Sequence, residues 1–502
     1  MNYSLSAARN SIPLLAVMVS CVFSFYSILI NPLLNNDAFG YLRAAEIFNA
    51  EGIRPVLDQY GWYGYSILIA LADSVLPGGL IASAHILNTL SYGLLVFAFV
   101  KICAEYHSSR RVALFAALTI LCFPLLNEMR YFLIRDFAFW AFTLFGFLLL
   151  LRYQRDRKLL TALYCALALL AAIAFRLEGL LLAAAAPLSL LASSGNRTAN
   201  LRLAAKLLLV LGGAFFTIFL VALFTGVNLL NLVQYAYRFY LPLIFNLNEL
   251  IVTTAQNLNQ TLFTLENFPH SDDSRHGLMV LAFAYLYAVL ANLINALGMP
   301  FTLLLLYSYI RGYLFIPVNL RWTLGAYISA SLLALLGFVF IMHFLTQRYA
   351  TLLCLLLLTL VPAALNNIYE DAIARDRRKK FNIIFGSLCG YLLIDSLISF
   401  GYSKQYLEDA SAWVAAEVPV TSGLHTNSFT LAYASGRIAD YDKVPLKAEE
   451  VMQQSRSADY LMLDIKHDDI EIRNRLETNP QLQLLQSFAN ERGDEVRIYL
   501  QR

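Results

Sequence analysis

From Ile12 to Phe400 the sequence returns repeatedly to apolar runs long enough to cross a lipid bilayer, and from about Gly401 to the end it does not. That alternation constrains the fold more than any other feature. A hydrocarbon core of about 30 Å takes about 20 apolar residues as helix. A backbone N–H or C=O left unpaired in lipid costs several kcal/mol, so a spanning segment must be a helix or part of a closed barrel. The residues are 59% hydrophobic and 14% charged, far outside the range of soluble globular proteins. The expectation is a mainly α, polytopic transmembrane bundle over 1–400 and a soluble domain over 401–502. Spans fall at about 11–31, 80–104, 112–127, 136–152, 159–175, 179–193 and 204–226. One net crossing within 277–310 follows, then 322–344, 349–367 and 380–400, about 11 in all.

A formal charge of +3, with the basic residues scattered over short loops, excludes nucleic acid as an expected partner. All six cysteines lie within or beside apolar segments, which argues against structural disulfides and a Cys-ligated zinc. Arg9 precedes the run Ile12–Ile30, but Asn31–Asp37 lacks the small-residue pattern of a signal-peptide cleavage site, so a retained first helix is expected.

Orientation follows from Lys and Arg. With the N-terminus in the cytoplasm, the inside loops hold 16 of them, from Arg110-Arg111 through Arg152, Arg155, Arg157 and Lys158 to the cluster Arg375–Lys380. The outside loops before residue 401 hold eight arginines and no lysine. The tail is then extracytoplasmic and the expected location is a bacterial inner membrane. The stretch 277–318 has apolar residues for two passes around Gly298-Met-Pro300. Two passes would put the five-residue basic cluster outside, so one crossing plus a surface or broken helix is the expectation.

The outer segments 32–79 and 227–276 are long, and polar groups gather at the outer helix ends rather than at mid-span positions of paired repeats, as in transporters. In Asn35–Glu46 the spacing of Asp37 and Tyr41 puts a carboxylate and a phenol on one face of a helix expected to lie in the membrane interface. Spacing alone leaves two readings of Asp37 open, a helix cap and a catalyst.

The order of these features resembles the GT-C superfamily of membrane glycosyltransferases, which includes protein mannosyltransferases and the aminoarabinose transferase acting on lipid A. The resemblance is carried by the acidic Asp37-x-x-x-Tyr41 loop after the first helix, by Gly61–Leu71 as a second interfacial helix, and by Arg135-Asp-Phe-Ala-Phe139 opening the fourth span. The turn Arg176–Gly179, the tripeptide Gln347-Arg-Tyr349 and the soluble tail continue it. Leu177 stands where the family's Arg-Pro-Glu-Gly form has proline.

The resemblance implies an inverting transfer from a polyprenyl-phosphate-linked sugar to a glycan, lipid or protein acceptor. Asp37 is the candidate base for the acceptor hydroxyl, and Asp136 matches the second acidic residue, with a helix cap or a partner of Arg135 as its structural alternative. A departing phosphate needs cations that keep their charge in a partly dry site, which suits arginine. Arg130, Arg135, Arg348, His343 and Arg238 are the candidates, each equally readable as an interfacial ion pair, while Arg176 and Glu178 read as a structural pair beside the substrate. No metal or other cofactor is required; Asp272-Asp273 with His270 and His276 reads as solvated loop, and 227–276 as a lid or acceptor guide. The tail reads as a small α/β domain, with helices at 406–413, 428–435 and 469–477, a strand at 458–464, and a hairpin of 481–488 with 494–500. The competing functions are an O-antigen ligase or polymerase and a non-enzymatic flippase of lipid-linked sugar.

Overall fold

The computed structural model describes residues 2–60, 63–193, 196–224, 234, 249, 251–262, 276–342, 344–398 and 401–502. Arg238, His343, the Asp272-Asp273 pair and most of the 227–276 segment lie outside the described residues. The chain forms two compact units. The first contains the chain up to Ser27 with Asn88–Arg130 and Arg135–Leu397; the second contains Ile28–Leu87, Tyr131–Ile134 and Ile398–Arg502.

The first unit is helical. Among the described residues of the whole chain, seven helices are long and apolar enough to cross a membrane: Ser11–Ile30, Gly79–Tyr106, Asp136–Asp156, Arg197–Phe224, Gly277–Leu297, Arg321–Phe340 and Arg378–Leu397. An eighth arises if Gln347–Leu358 and Val361–Ala374, bent by 44°, count as one. Pro362 stands in the first turn after that break, where its missing N–H is tolerated and its ring stops a straight continuation. The helices Leu159–Phe175 and Gly179–Ala192, of 17 and 14 residues, are shorter than a full span. So is Met299–Ile310, which follows His276–Leu297 after the single residue Gly298 at φ +75°, a conformation that needs glycine.

Burial separates inner from outer helices. Asp136–Asp156 is 83% buried over its most apolar window, with Phe137, Trp140, Leu144, Phe147 and Tyr153 packed inside. Arg197–Phe224 is only 11% buried, and Leu208, Leu209, Phe216 and Phe224 face outward. An unbroken exposed apolar face on that scale is stable only against lipid. The hairpin between Leu159–Phe175 and Gly179–Ala192 turns at Arg176-Leu-Glu, with the Gly179 N–H donating to the Arg176 carbonyl at 3.0 Å. A Cβ on Gly179 would lie 2.9 Å from the Ile173 backbone nitrogen, so the turn closes only on glycine.

The second unit joins the first long loop to the tail. Its helices Asn36–Glu51, Ile53–Gln59 and Gly64–Asp73 precede the helix Gln405–Glu417 and a four-stranded sheet. The strands are β1 (Leu424–Thr426), β2 (Tyr460–Ile465), β3 (Leu482–Ala489) and β4 (Glu495–Gln501), in the order β1-β2-β4-β3. β1 runs parallel to β2, and the other two pairings are antiparallel. Strand alternation puts Met462, Val496 and Ile498 against Tyr406, Leu407 and Val414 on one face. Leu461, Leu463 and Tyr499 pack with Val451 and Leu476 on the other. Three-residue β1 and the helix Ala448–Gln454 have no counterpart in the expected pattern.

The tail is tied to the loop helices by an aromatic core. Phe39, 1% exposed, meets Phe429, Tyr433 and Tyr441 with ring centroids 5.6 to 6.3 Å apart. Tyr60 donates to Asp442 at 2.5 Å, and Arg43 pairs with Glu46 at 3.1 Å and with Asp440 at 3.7 Å. The domain boundary expected at residue 400 therefore differs from the compact unit, which also takes in 28–87 and 131–134. Those apolar loop residues complete a core that the 100-residue tail does not fill alone.

Candidate active site

In the first unit, four predicted residues from three separate stretches of sequence meet. Asp136 begins the inner helix Asp136–Asp156 and is 1% exposed. Its Oδ1 accepts from Arg176 Nη1, and its Oδ2 lies 4.0 Å from Arg348 Nε. Arg176 also donates to Glu178, through Nη2 at 2.6 Å and Nε at 3.3 Å. The hairpin turn thus holds a guanidinium between two carboxylates, a fork arrangement that arginine satisfies and lysine does not. Burial alone would push the Glu178 carboxyl up, but Arg176 beside it holds it below the usual carboxylate range.

Tyr349 completes the cluster. The Arg176 guanidinium lies 4.9 Å from its ring centroid and that of Arg348 5.5 Å. The Phe338 ring stacks on it at 3.9 Å. Arg176, Glu178, Arg348 and Tyr349 edge a cavity of about 30 Å³ whose remaining wall includes Phe139, Trp140, Leu182, Leu335 and Leu353. Charged groups thus share the cavity with an apolar lining. Ser331, 5% exposed, lines the same cavity with a hydroxyl that has no hydrogen-bond partner among the described residues.

Arg348 is the more open of the two arginines, with 26% of its side chain exposed against 8% for Arg176. Arg135 is the residue before the helix and half-buried. Arg130 is 1% exposed and turned into the helices. It donates to the Ser20 carbonyl at 3.0 Å and to Ser24 Oγ at 2.9 Å, and it stacks over Tyr92 at 4.6 Å. Through Nη1 it holds the first helix, and through Nε it bonds Asn127.

Asp37 and Tyr41 belong to the second unit. The helix starts at Asn36 with Asn35 as its cap position, so Asp37 is an exposed first-turn residue and not the cap. A carboxylate there gains from the helix dipole. Asn35 instead accepts from the Leu133 N–H at 2.7 Å. Tyr41 packs edge-on against Tyr65 at 5.1 Å. Tyr349 and Phe139 entered the sequence reading only as the ends of motifs, without a role, and Ser331 was not singled out. Tyr349 had a signal in its adjacency to Arg348, whereas Ser331 looks like any small residue of an apolar helix. Among the described residues no group of three or more His, Cys, Asp or Glu side chains is arranged to hold a metal.

Comparison with solved structures shows that the chain shares the fold of two archaeal oligosaccharyltransferase structures. One is the Archaeoglobus fulgidus oligosaccharyltransferase AglB in complex with an inhibitory peptide and a dolichol-phosphate, at 15% identity and a TM-score of 0.51. The other is the A. fulgidus oligosaccharyltransferase tethered to an acceptor peptide containing the NVT sequon, at 14% identity and a TM-score of 0.54. Each match covers 90% of this chain and 69% of the neighbour. ArnT from Cupriavidus metallidurans aligns over 97% of both chains at 13% identity, with a TM-score of 0.42. No protein-family model and no curated protein sequence matches this chain.

Proposed function

We propose that this protein is an inverting glycosyltransferase that moves a sugar from a polyprenyl-phosphate donor to a glycan, lipid or protein acceptor on the periplasmic side of the inner membrane. The observation that carries the reading is the cavity edged by Arg176, Arg348 and Glu178, with Asp136 against the two arginines and the rest of the wall largely apolar. That pairing of charge and apolar surface suits an amphiphile with an anionic head and a hydrocarbon tail. The archaeal neighbour of the same fold is bound to dolichol-phosphate, a ligand of that type. The arginine bias of the outer loops supports the periplasmic placement.

In the proposed step, the acceptor hydroxyl oxygen attacks the anomeric carbon from the face opposite the phosphate. The new C–O bond forms as the bond from that carbon to the phosphate oxygen breaks, and polyprenyl phosphate leaves with the electron pair. Asp37 takes the hydroxyl proton. Arg348, the more open guanidinium of the cluster, binds the phosphate oxygens as their charge grows. Asp136 and Arg176 act by positioning Arg348 and Tyr349, and no metal enters the scheme.

The test uses the purified full chain in lipid nanodiscs with a panel of undecaprenyl-phosphate sugars, reading released undecaprenyl phosphate by mass spectrometry. Asp37→Asn is expected to slow release by about 100-fold or more, within the usual range for general base catalysis. Unchanged release in that variant removes Asp37 as the base. If labelled lipid-linked sugar crosses sealed vesicles while no donor is ever cleaved, the protein is a flippase and the enzymatic reading fails.

A further inference from the structure

A second polar cavity, of about 350 Å³, lies within the first unit, at the far end of the inner helix from Asp136. Its lining includes Arg152 and Arg155 from the last turn and a half of Asp136–Asp156, so at 1.5 Å per residue it sits about 18 Å along that helix from Trp140 in the wall of the first cavity. Lys101 and Glu105, one turn apart on Gly79–Tyr106, face it, and Pro13 and Val100 supply apolar wall. Glu105 is the only acid in the lining, and both arginines share it. Arg155 pairs with one carboxylate oxygen, and Arg152 Nε lies 3.5 Å from the other. The two guanidiniums share that one carboxylate, which leaves the pair a formal charge of +1. The neighbouring acid, Asp156, is engaged by Thr161 Oγ1 at 2.8 Å and the Lys158 N–H at 3.1 Å.

The cavity also opens beside a lipid-facing element. The helix Ser11–Ile30, which contributes Pro13, is only 28% buried over its most apolar window. Arg155 keeps 66% of its side chain exposed and Arg152 32%, so their donor forks are accessible to a ligand as well as to Glu105. A cluster that existed only to tie three helices together would match its charges pair by pair. Here the excess positive charge faces an open volume with an apolar flank, the arrangement that receives a phosphate group attached to an acyl chain.

We propose that this cavity is a binding site for the phosphodiester head group of an anionic phospholipid. Arg152, Arg155 and Lys101 would contact the phosphate oxygens, and the Pro13 and Val100 surface would flank the upper chain. Glu105 pre-positions the two guanidiniums and at the same time competes with the ligand for them. The proposal is independent of the glycosyl-transfer reading, because it concerns the opposite end of the helix and other residues.

Native mass spectrometry of the full chain, released from detergent with phosphatidylglycerol, phosphatidylcholine or inorganic phosphate, tests it. Wild type is expected to retain phosphatidylglycerol at least tenfold better than phosphatidylcholine. Arg155→Gln, at an exposed position, should weaken phosphatidylglycerol binding about fivefold, as about 1 kcal/mol per cation near anionic lipid implies. Lys101→Gln with Arg155→Gln should weaken it about 30-fold. Glu105→Gln should strengthen it, because the competing carboxylate is gone while the cations stay. That gain separates a ligand site from a purely structural ion pair, which the same change would only loosen. Lipid retention unchanged in both Arg155→Gln and Glu105→Gln overturns the site. Free phosphate bound as tightly as phosphatidylglycerol, with the same dependence on the variants, overturns the lipid assignment.

Discussion

Arg176→Gln tests whether the cluster at the first cavity is built as described. The Asp136 side chain is 2% exposed and that of Glu178 20% exposed, and Arg176 is the residue that neutralises both. Removing one partner of a buried pair leaves an uncompensated charge and typically costs about 3–5 kcal/mol, far more than the net worth of the intact pair. Arg348 cannot take over, because its Nε stands 4.0 Å from the far oxygen of Asp136 and its side chain is partly solvated. By the same reasoning Arg348→Gln should cost about 1 kcal/mol or less. Reversible unfolding in mixed micelles, followed by tryptophan fluorescence with Trp140 as a buried reporter in the cavity wall, measures both. A loss near 3 kcal/mol lowers the folded-to-unfolded ratio by about 150-fold, well within such an assay. The double variant Arg176→Gln with Asp136→Asn should recover at least about 1 kcal/mol, since one orphaned charge is removed. The reasoning fails if Arg176→Gln and Arg348→Gln destabilise equally, or if the second substitution recovers nothing.

Three further outcomes are expected. Arg348→Lys keeps the charge but loses the planar donor fork, so turnover should fall about tenfold, the worth of one charge-assisted hydrogen bond; a wild-type rate removes Arg348 from the phosphate. Gly179→Ala forces a methyl group to within 2.9 Å of the Ile173 backbone nitrogen and should cost about 1–3 kcal/mol, seen as a lower unfolding midpoint. Phe39→Ala empties the aromatic core shared with Phe429, Tyr433 and Tyr441 and should cost about 3–5 kcal/mol. Limited proteolysis would show it as faster cleavage within 401–502, and unchanged protection would mean the tail is held by other contacts.

What was legible in the sequence divides along the range of the interaction involved. The long helices were legible because a lipid solvent demands unbroken apolar runs, and their ends were marked by charges such as Asp136 and Arg378, whereas the span expected at 112–127 is the 12-residue helix Arg110–Leu121 followed by Pro124–Glu128. The tail hairpin was legible because β3 and β4 flank the turn at Arg492-Gly493. β1 was not, since three residues carry no periodicity and gain their strand geometry only by pairing with β2. The extent of the second unit was hidden for a related reason. Phe39 looks like one more apolar residue of an interfacial helix, and only its distant partners at 429–441 make it a core.

The site shows the same division. Arg176-x-Glu178-Gly179 is a local motif, and its turn, its internal pair and its glycine requirement could be reasoned from four residues. The role of Asp136 depended on residues 40 and 212 positions away, so spacing left it divided between a cap, a partner of Arg135 and a functional acid. Arg130 and Arg348 looked equivalent as outer-loop arginines. Their burial separates them: Arg130 is 1% exposed and tied through Nε and Nη1 to Asn127, Ser20 and Ser24, while 26% of the Arg348 side chain is exposed at the edge of a cavity. A fully buried cation contributes packing and orientation, and a phosphate meets the planar donor fork of a side chain that solvent, and so a ligand, can reach.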